Sequence, residues 1–461
     1  MKGLLILLIL ILSICPGTVG AEQEKDAYTL AEAVETALRQ NPGLIISQQD
    51  VSVETYGIDL ASAARMPRLD FNSAVTRYRY PTPLWPISGS PLAGTRFPEF
   101  DNNTYDVGVA FSLPLYRGGR LDREVEIARM RRSIAEDRVV VTRQDLIFNV
   151  TVLCYRIMQL GEDLKSSDAA IRQLEAHRAD AELFFRAGTA PKVDLLKAET
   201  GLAAERQRSL VIRNALESAL ELLKAFMGID DARRKITLVA TEAPGRHPPL
   251  EEALEKALSQ RPDYGVVLKR LALAEERIRL ARGRMLPSVL FSGEYLERAG
   301  DAFSFTENWN LALRLSVPVF DGGAVRAEVN REKAELEKVK EEARSLKIGI
   351  HREVMDAHLA IGNARERIDV ADSEIGTARE SLRIEVLKYE SGAGTSTDVI
   401  DAQTALSRAQ AGRSRAVYDR AVAIASLRRA VGDDPHREPE GKEPLSGERR
   451  GPPLYSAEAL E

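Results

Sequence analysis

The sequence is poor in the residues from which enzymes and redox proteins build their sites. Its 461 residues include 2 cysteines, 5 histidines and 2 tryptophans, and aromatics make up only 6%. Cys15 falls in an apolar leader, so the mature chain keeps Cys154 alone and no intrachain disulfide can form. Cys154 is expected as a small buried apolar residue. There is no glycine-rich nucleotide loop, no zinc-type spacing and no catalytic triad, so neither an enzyme activity nor a cofactor is expected. His351 and His358 share one helix face, yet two histidines on a charged helix are expected to be solvated rather than metal-bound. After the leader, no run reaches the roughly 18 apolar residues of a membrane-spanning helix. The net charge of −5, with no clustered basic face, speaks against a nucleic-acid partner.

A charged fraction of 29% with few aromatics points to long helices over a compact core. The start, Met1-Lys2-Gly3, then the apolar run from Leu4 to Ile14 and the small residues up to Ala21, reads as a secretory signal peptide at 1–21. Acylation of Cys15 is the alternative, against which stand Ile14 before it and Pro16 after it. At the other end, 433–461 is rich in Pro, Gly and charge and reads as a disordered tail.

Between these ends the chain is written twice. Phe185, Gly188, Asp194 and Ala198 return as Tyr389, Gly392, Asp398 and Ala402 at a constant spacing of 204 (389 − 185, 398 − 194). Asn41-Pro42 and Met66-Pro67 return as Arg261-Pro262 and Leu286-Pro287 at 220 (262 − 42, 287 − 67). The difference is absorbed by extra residues in the loop from Tyr78 to Phe100, which is rich in proline and reads as a stiff surface loop. The repeats are therefore placed at 22–232 and 233–432.

Each repeat holds two stretches with the period of a strand. From Asn103 to Tyr116, Tyr105, Val107, Val109, Phe111, Leu113 and Leu115 alternate with Asp106, Gly108, Ala110 and Ser112. From Asn308 to Phe320, Trp309, Leu311, Leu313 and Leu315 alternate with Asn310, Ala312, Arg314 and Ser316. Partners run through Leu69, Phe71 and Val75 and through Val289, Phe291 and Tyr295, giving strands at about 68–80, 103–116, 288–298 and 308–320. Runs of about ten residues with one oily face suit tilted strands crossing a bilayer. Long helices follow, 121–187 and 324–391, each roughly 100 Å long at 1.5 Å per residue.

The two glycine turns end these long helices. Gly188 and Gly392 are expected to be left-handed helix stops, with Gly394 in the same turn; Pro191 is expected at the first position of the returning helix. Asp194 and Asp398 fall in the first turns that follow, and Asp401 shares a face with Asp398. Four oily strands from one chain cannot close a barrel around a channel, so several chains are expected to assemble: two would give eight strands and three would give twelve.

In the order of these motifs, with Tyr389, Gly392, Asp398, Val399, Ile400, Asp401 and Ala402 at the second tip, the chain resembles the TolC family of outer-membrane efflux proteins. The resemblance implies a homotrimer with a 12-stranded barrel in outer-membrane lipid and a long α-helical barrel across the periplasm. It also implies a tip that opens when a periplasmic adaptor and an inner-membrane pump dock. By the same resemblance Asp398 and Asp401 form acidic rings at the narrowest point, and Tyr389 and Asp194 link neighbouring coiled coils in the closed state. Gly394 stands where the family's closed-state network has an arginine, and Lys197 is a candidate replacement cation. The outer component of a type I protein secretion system is the alternative within this architecture. A soluble periplasmic coiled-coil scaffold is the alternative outside it.

Overall fold

The computed structural model describes residues 27–90, 94–231, 233–239 and 248–433. The leader with Cys15 and the tail beyond 433 lie outside the described residues. The first half runs β1 (Ala27–Tyr28), α1 (Leu30–Gln40), α2 (Pro42–Ala63), β2 (Arg68–Pro83), a small hairpin of β3 (Ser88–Ser90) and β4 (Gly94–Arg96), then β5 (Phe100–Arg117), α3 (Arg120–Arg186) and α4 (Lys192–Met227). The second half repeats this with β6 (Thr237–Leu238), α5 (Leu250–Gln260), α6 (Pro262–Arg282), β7 (Ser288–Ala299), β8 (Thr306–Ser316), α7 (Ala324–Glu390) and α8 (Ser396–Val431). Among the described residues, no helix is long and apolar enough to cross a membrane.

Local chemistry sets the boundaries. Thr29 and Glu32 form a capping box at the start of α1, with Thr29 N donating to Glu32 Oε2 at 2.9 Å. Asn41 then does two jobs: its Oδ1 accepts from Leu44 N at 3.1 Å to cap α2, and its Nδ2 donates to Phe226 O at 2.8 Å, at the end of α4. The same junction in the second half is ionic. Arg261, its side chain only 8% exposed, reaches Asp263 and Glu353 at 2.6 Å each and donates to Ala430 O at the end of α8. Consecutive left-handed glycines, Gly118 and Gly119 (φ 63° and 69°) and Gly322 and Gly323 (φ 66° and 86°), turn the chain from sheet into long helix.

The long helices share several thin cores instead of one thick one. Ala33, Val34 and Ala37 of α1 bury against Val150, Cys154, Leu223 and Met227 of α3 and α4. In the second half, Ala253 and Ala257 of α5 do the same against Val354, Ile361, Ile424 and Leu427 of α7 and α8. Towards the sheet, α3 meets α6 through Ile127, Ile134, Val266 and Leu273, and Arg65, just past the end of α2, pairs with Asp122 at 2.8 Å. Towards the other end, α3 lies between α4 and α8, and a fourth core gathers all four helices at the tip. The parallel pairing of β1 with β6 ties the starts of the two halves together.

The four large strands form one antiparallel sheet in the order β2-β5-β7-β8. Its register places Leu69, Phe111 and Gly293, then Phe71, Val109, Tyr295 and Trp309, on one side of the sheet. That side is oily and open: Phe71 is 71% exposed and Leu313 69%. On the other side Asp106 faces Arg298 across the pair and binds its guanidinium twice, at 2.6 and 2.9 Å. Both outer strands, β2 and β8, leave one edge without a partner among the described residues.

Three sequence expectations are corrected. β2 runs past its expected end near 80 to Pro83, taking in Pro81, Thr82 and Pro83 of the stretch read as loop; Thr82 and Pro83 pair with Asp101 and Phe100 after a register shift. Prolines are tolerated there because β2 is an outer strand. β8 stops at Ser316, short of Pro318, Val319 and Phe320. Pro114, the counterpart of Pro318, stays within β5 because a bulge between Pro114 and Tyr116 accommodates it against β7. Finally, Pro191 is the N-cap of α4 (φ −74°, ψ 151°), and the helix begins at Lys192.

Candidate pore gate at the helical tip

The end of the molecule far from the sheet is made by two turns built alike. In the first, Gly188 N donates to Phe185 O at 3.0 Å, and Thr189 N and Ala190 N donate to Phe184 O at 2.9 and 3.2 Å. In the second, Gly392 N donates to Tyr389 O at 3.1 Å, and Ala393 N and Gly394 N donate to Lys388 O at 2.8 and 3.0 Å. Gly188 and Gly392 carry φ 75° and 77°, the left-handed helix stop. Gly394 differs: its φ is not left-handed, and a Cβ there would lie 2.9 Å from Lys388 Cβ, so the turn itself needs its small size.

The acidic residues occupy distinct positions. Asp398 is the third residue of α8 and closes a capping box with Thr395: its Oδ2 accepts from Thr395 Oγ1 at 2.7 Å and from Thr395 N at 3.0 Å. Those bonds, with smaller contributions from the charges of Lys388 and Lys197, hold its carboxyl below the usual carboxylate range. Asp401 is exposed one turn further on, with no hydrogen bond or ion pair among the described residues. Asp194 is half-buried in the first turn of α4. Tyr389 is buried at 5% exposure with its hydroxyl unpartnered. No hydrogen bond joins Tyr389 to Asp194 within the protomer. Burial first, then the charges of Asp194 and Asp180, push the Tyr389 phenol up. Lys197 does not pair with a carboxylate; its Nζ donates to Thr397 Oγ1 at 2.7 Å, which fastens α4 to the start of α8.

Comparison with known proteins agrees with this architecture. A sequence model described as "Outer membrane efflux protein" matches residues 33–229 and 253–433, one segment in each half. The chain belongs to the outer membrane efflux protein family. It is 25% identical over 426 residues to outer membrane protein OprJ of Pseudomonas aeruginosa, covering 87% of this chain and 84% of OprJ. It is 24% identical over 400 residues to the toluene efflux pump outer membrane protein TtgI of Pseudomonas putida, covering 83% and 80%. The crystal structure of the CmeC outer membrane channel of Campylobacter jejuni superposes with a TM-score of 0.75 at 18% identity, covering 88% of this chain and 85% of CmeC.

This efflux protein is thus an outer-membrane channel protein and not an enzyme. Its tip holds residues that sequence reasoning passed over. His177 of α3 is 7% exposed, and its Nε2 is hydrogen-bonded to Ser396 Oγ at 2.8 Å, joining the first helical hairpin to the start of the last helix. The Tyr389 ring meets the His177 ring edge-on at a centroid distance of 4.8 Å, and Phe184 lies at 5.7 Å. Above them a groove of about 760 Å³ runs between α3 and α7 over α8. Its floor carries Gln403, whose buried Oε1 has no partner. The one available signal was the spacing of His177 with Leu174 and Ala181 on the buried stripe of α3.

Proposed function

We propose that the protein is the exit duct of a tripartite efflux system, assembled as a homotrimer in the outer membrane. The observation that carries this reading is the β2-β5-β7-β8 sheet, oily on one side and unpaired at both edges, set at one end of helices of 67 residues. In lipid each unpaired backbone group costs several kcal/mol, so β2 of one copy pairs with β8 of the next until the ring closes. Three copies give a barrel of twelve strands, with the long helices continuing below it as a tunnel of roughly 100 Å. The repeats 22–232 and 233–432 are the structural units of that wall.

At the far end Asp398 and Asp401 ring the narrowest passage and favour cations there. Tyr389 and Asp194 hold the closed tip, and the turns at Gly188, Gly392 and Gly394 present it to a periplasmic adaptor that couples it to an inner-membrane pump. The names of relatives such as TtgI, a pump component, support efflux over other exports.

The test has two parts. The mature chain in a planar bilayer should form cation-preferring channels, and a photoreactive residue at exposed Ala393 in intact envelopes should capture the adaptor of an efflux pump. Ala393 is chosen because Gly394 has no room for a side chain. Capture of the adaptor of an ATP-driven secretion system would redirect the reading to protein export, and a chain soluble without detergent would make it a scaffold.

A further inference from the structure

The geometry points to a proton-sensitive latch: the buried pair of His177 and Ser396 holds α8 against α3 in the closed tip and releases it on acidification. This rests on the exit-duct reading. His177 belongs to the α3–α4 hairpin and Ser396 to the first residue of α8, so any opening that moves the second hairpin away from the first must part them. The contact is dry, with Ser396 fully buried and His177 at 7% exposure. A second bond lies alongside it: His177 and Lys197 between them fasten Ser396 and Thr397 to the first hairpin.

The surroundings decide the direction. The groups that act on the imidazole are Asp180 from α3 itself and Asp194 from α4, both favouring the cation. From α7 the ring meets the neutral Tyr389 edge, and the charges lining the groove, Arg379 and Arg383 with Glu380 and Glu390, are of both signs. From α8 come Ser396 and Gln403, both uncharged. Burial outweighs the two aspartates and depresses the His177 pKa below its ordinary value. Parting α8 from α3 hydrates the ring and restores about 6.5. A base with a depressed value in the closed state binds its proton more tightly in the open one. The closed tip is therefore fully favoured above about pH 6.5 and loses ground as the pH falls below it. One pH unit below that point the ratio of open to closed rises by up to about tenfold per chain. Two buried atoms without partners beside the latch, Tyr389 Oη and Gln403 Oε1, gain water on opening and make release easier.

Single-channel recordings of the full-length protein in planar bilayers, from about pH 7.5 to about pH 5.5, test the latch. Open probability of the wild type should rise several-fold across this range. His177→Gln, which keeps a hydrogen-bonding group but cannot titrate, should stay within about twofold of its own neutral value. Ser396→Ala should open more at neutral pH, and it serves as the reading if the glutamine variant does not insert. Asp398, held below the carboxylate range, does not titrate in this window. A wild type that conducts without a pH response, or a glutamine variant with the wild-type response, overturns the latch alone. A wild type that conducts at no pH overturns the exit-duct reading, and the latch with it.

Discussion

Replacing Gly392 by valine isolates the conformational requirement of the tip from its packing. The residue sits at φ 77°, and no atom lies within 4 Å of an added Cβ, so the substitution meets no steric obstacle outside its own backbone. The left-handed conformation then costs about 1–2 kcal/mol for an ordinary L residue, with β-branched side chains at the upper end. That energy falls on a turn whose amides downstream of Gly392, Ala393 N and Gly394 N, both donate to Lys388 O. Local opening of the turn should become about 5- to 30-fold more frequent. Hydrogen exchange read by mass spectrometry on tip peptides should show that acceleration at Ala393 and Gly394, with α1 unaffected. Gly392→Asn should restore most of the protection, because asparagine tolerates this conformation. Gly188→Val should behave as Gly392→Val does, since its φ is 75° and it too has open space around it. Wild-type exchange in Gly392→Val, or equal acceleration by asparagine and valine, would refute the reasoning.

Other outcomes follow from the same geometry. Asp401→Asn should lower cation preference in reversal-potential measurements while leaving tip exchange unchanged, whereas Asp398→Asn should lower cation preference and also speed tip exchange, because it weakens the capping box with Thr395 by up to about 1 kcal/mol. Arg261→Ala should destabilise the junction of α5 with α6 by about 2–3 kcal/mol, less than the roughly 3–5 kcal/mol of a fully buried pair because Glu353 is 41% exposed; thermal unfolding of the purified protein reads it, and Arg261→Met should cost less. Cys154 has no exposed surface and its thiol is pushed up to about 12 by burial, so thiol reagents at pH near 8 should label it only on unfolding.

The repeat, the helix lengths and the sheet faces were readable because each rests on periodicity or on a local stop. Asn41-Pro42, Gly188 and Gly392 announce their boundaries within a few residues. What stayed hidden depends on partners far along the chain. Ser396 lies 219 residues from His177, and a single histidine on a charged helix carries no mark of what will cover it. Likewise Arg261 resembles any exposed arginine until Asp263, Glu353 and Ala430 O close around it. The end of β8 at Ser316 was misjudged because alternation continues through Pro318, whereas pairing does not.

The halves differ most where they are furthest from the tip. β2 is 16 residues long and β8 11, so at about 3.3 Å per residue the hairpin of the first half runs roughly 17 Å further along the strand direction than that of the second. In a ring of three chains the rim facing away from the helices is therefore crenellated, three tall proline-bearing merlons alternating with three low embrasures. Whatever approaches the cell from outside meets the first repeat, while the second is reached only through the gaps.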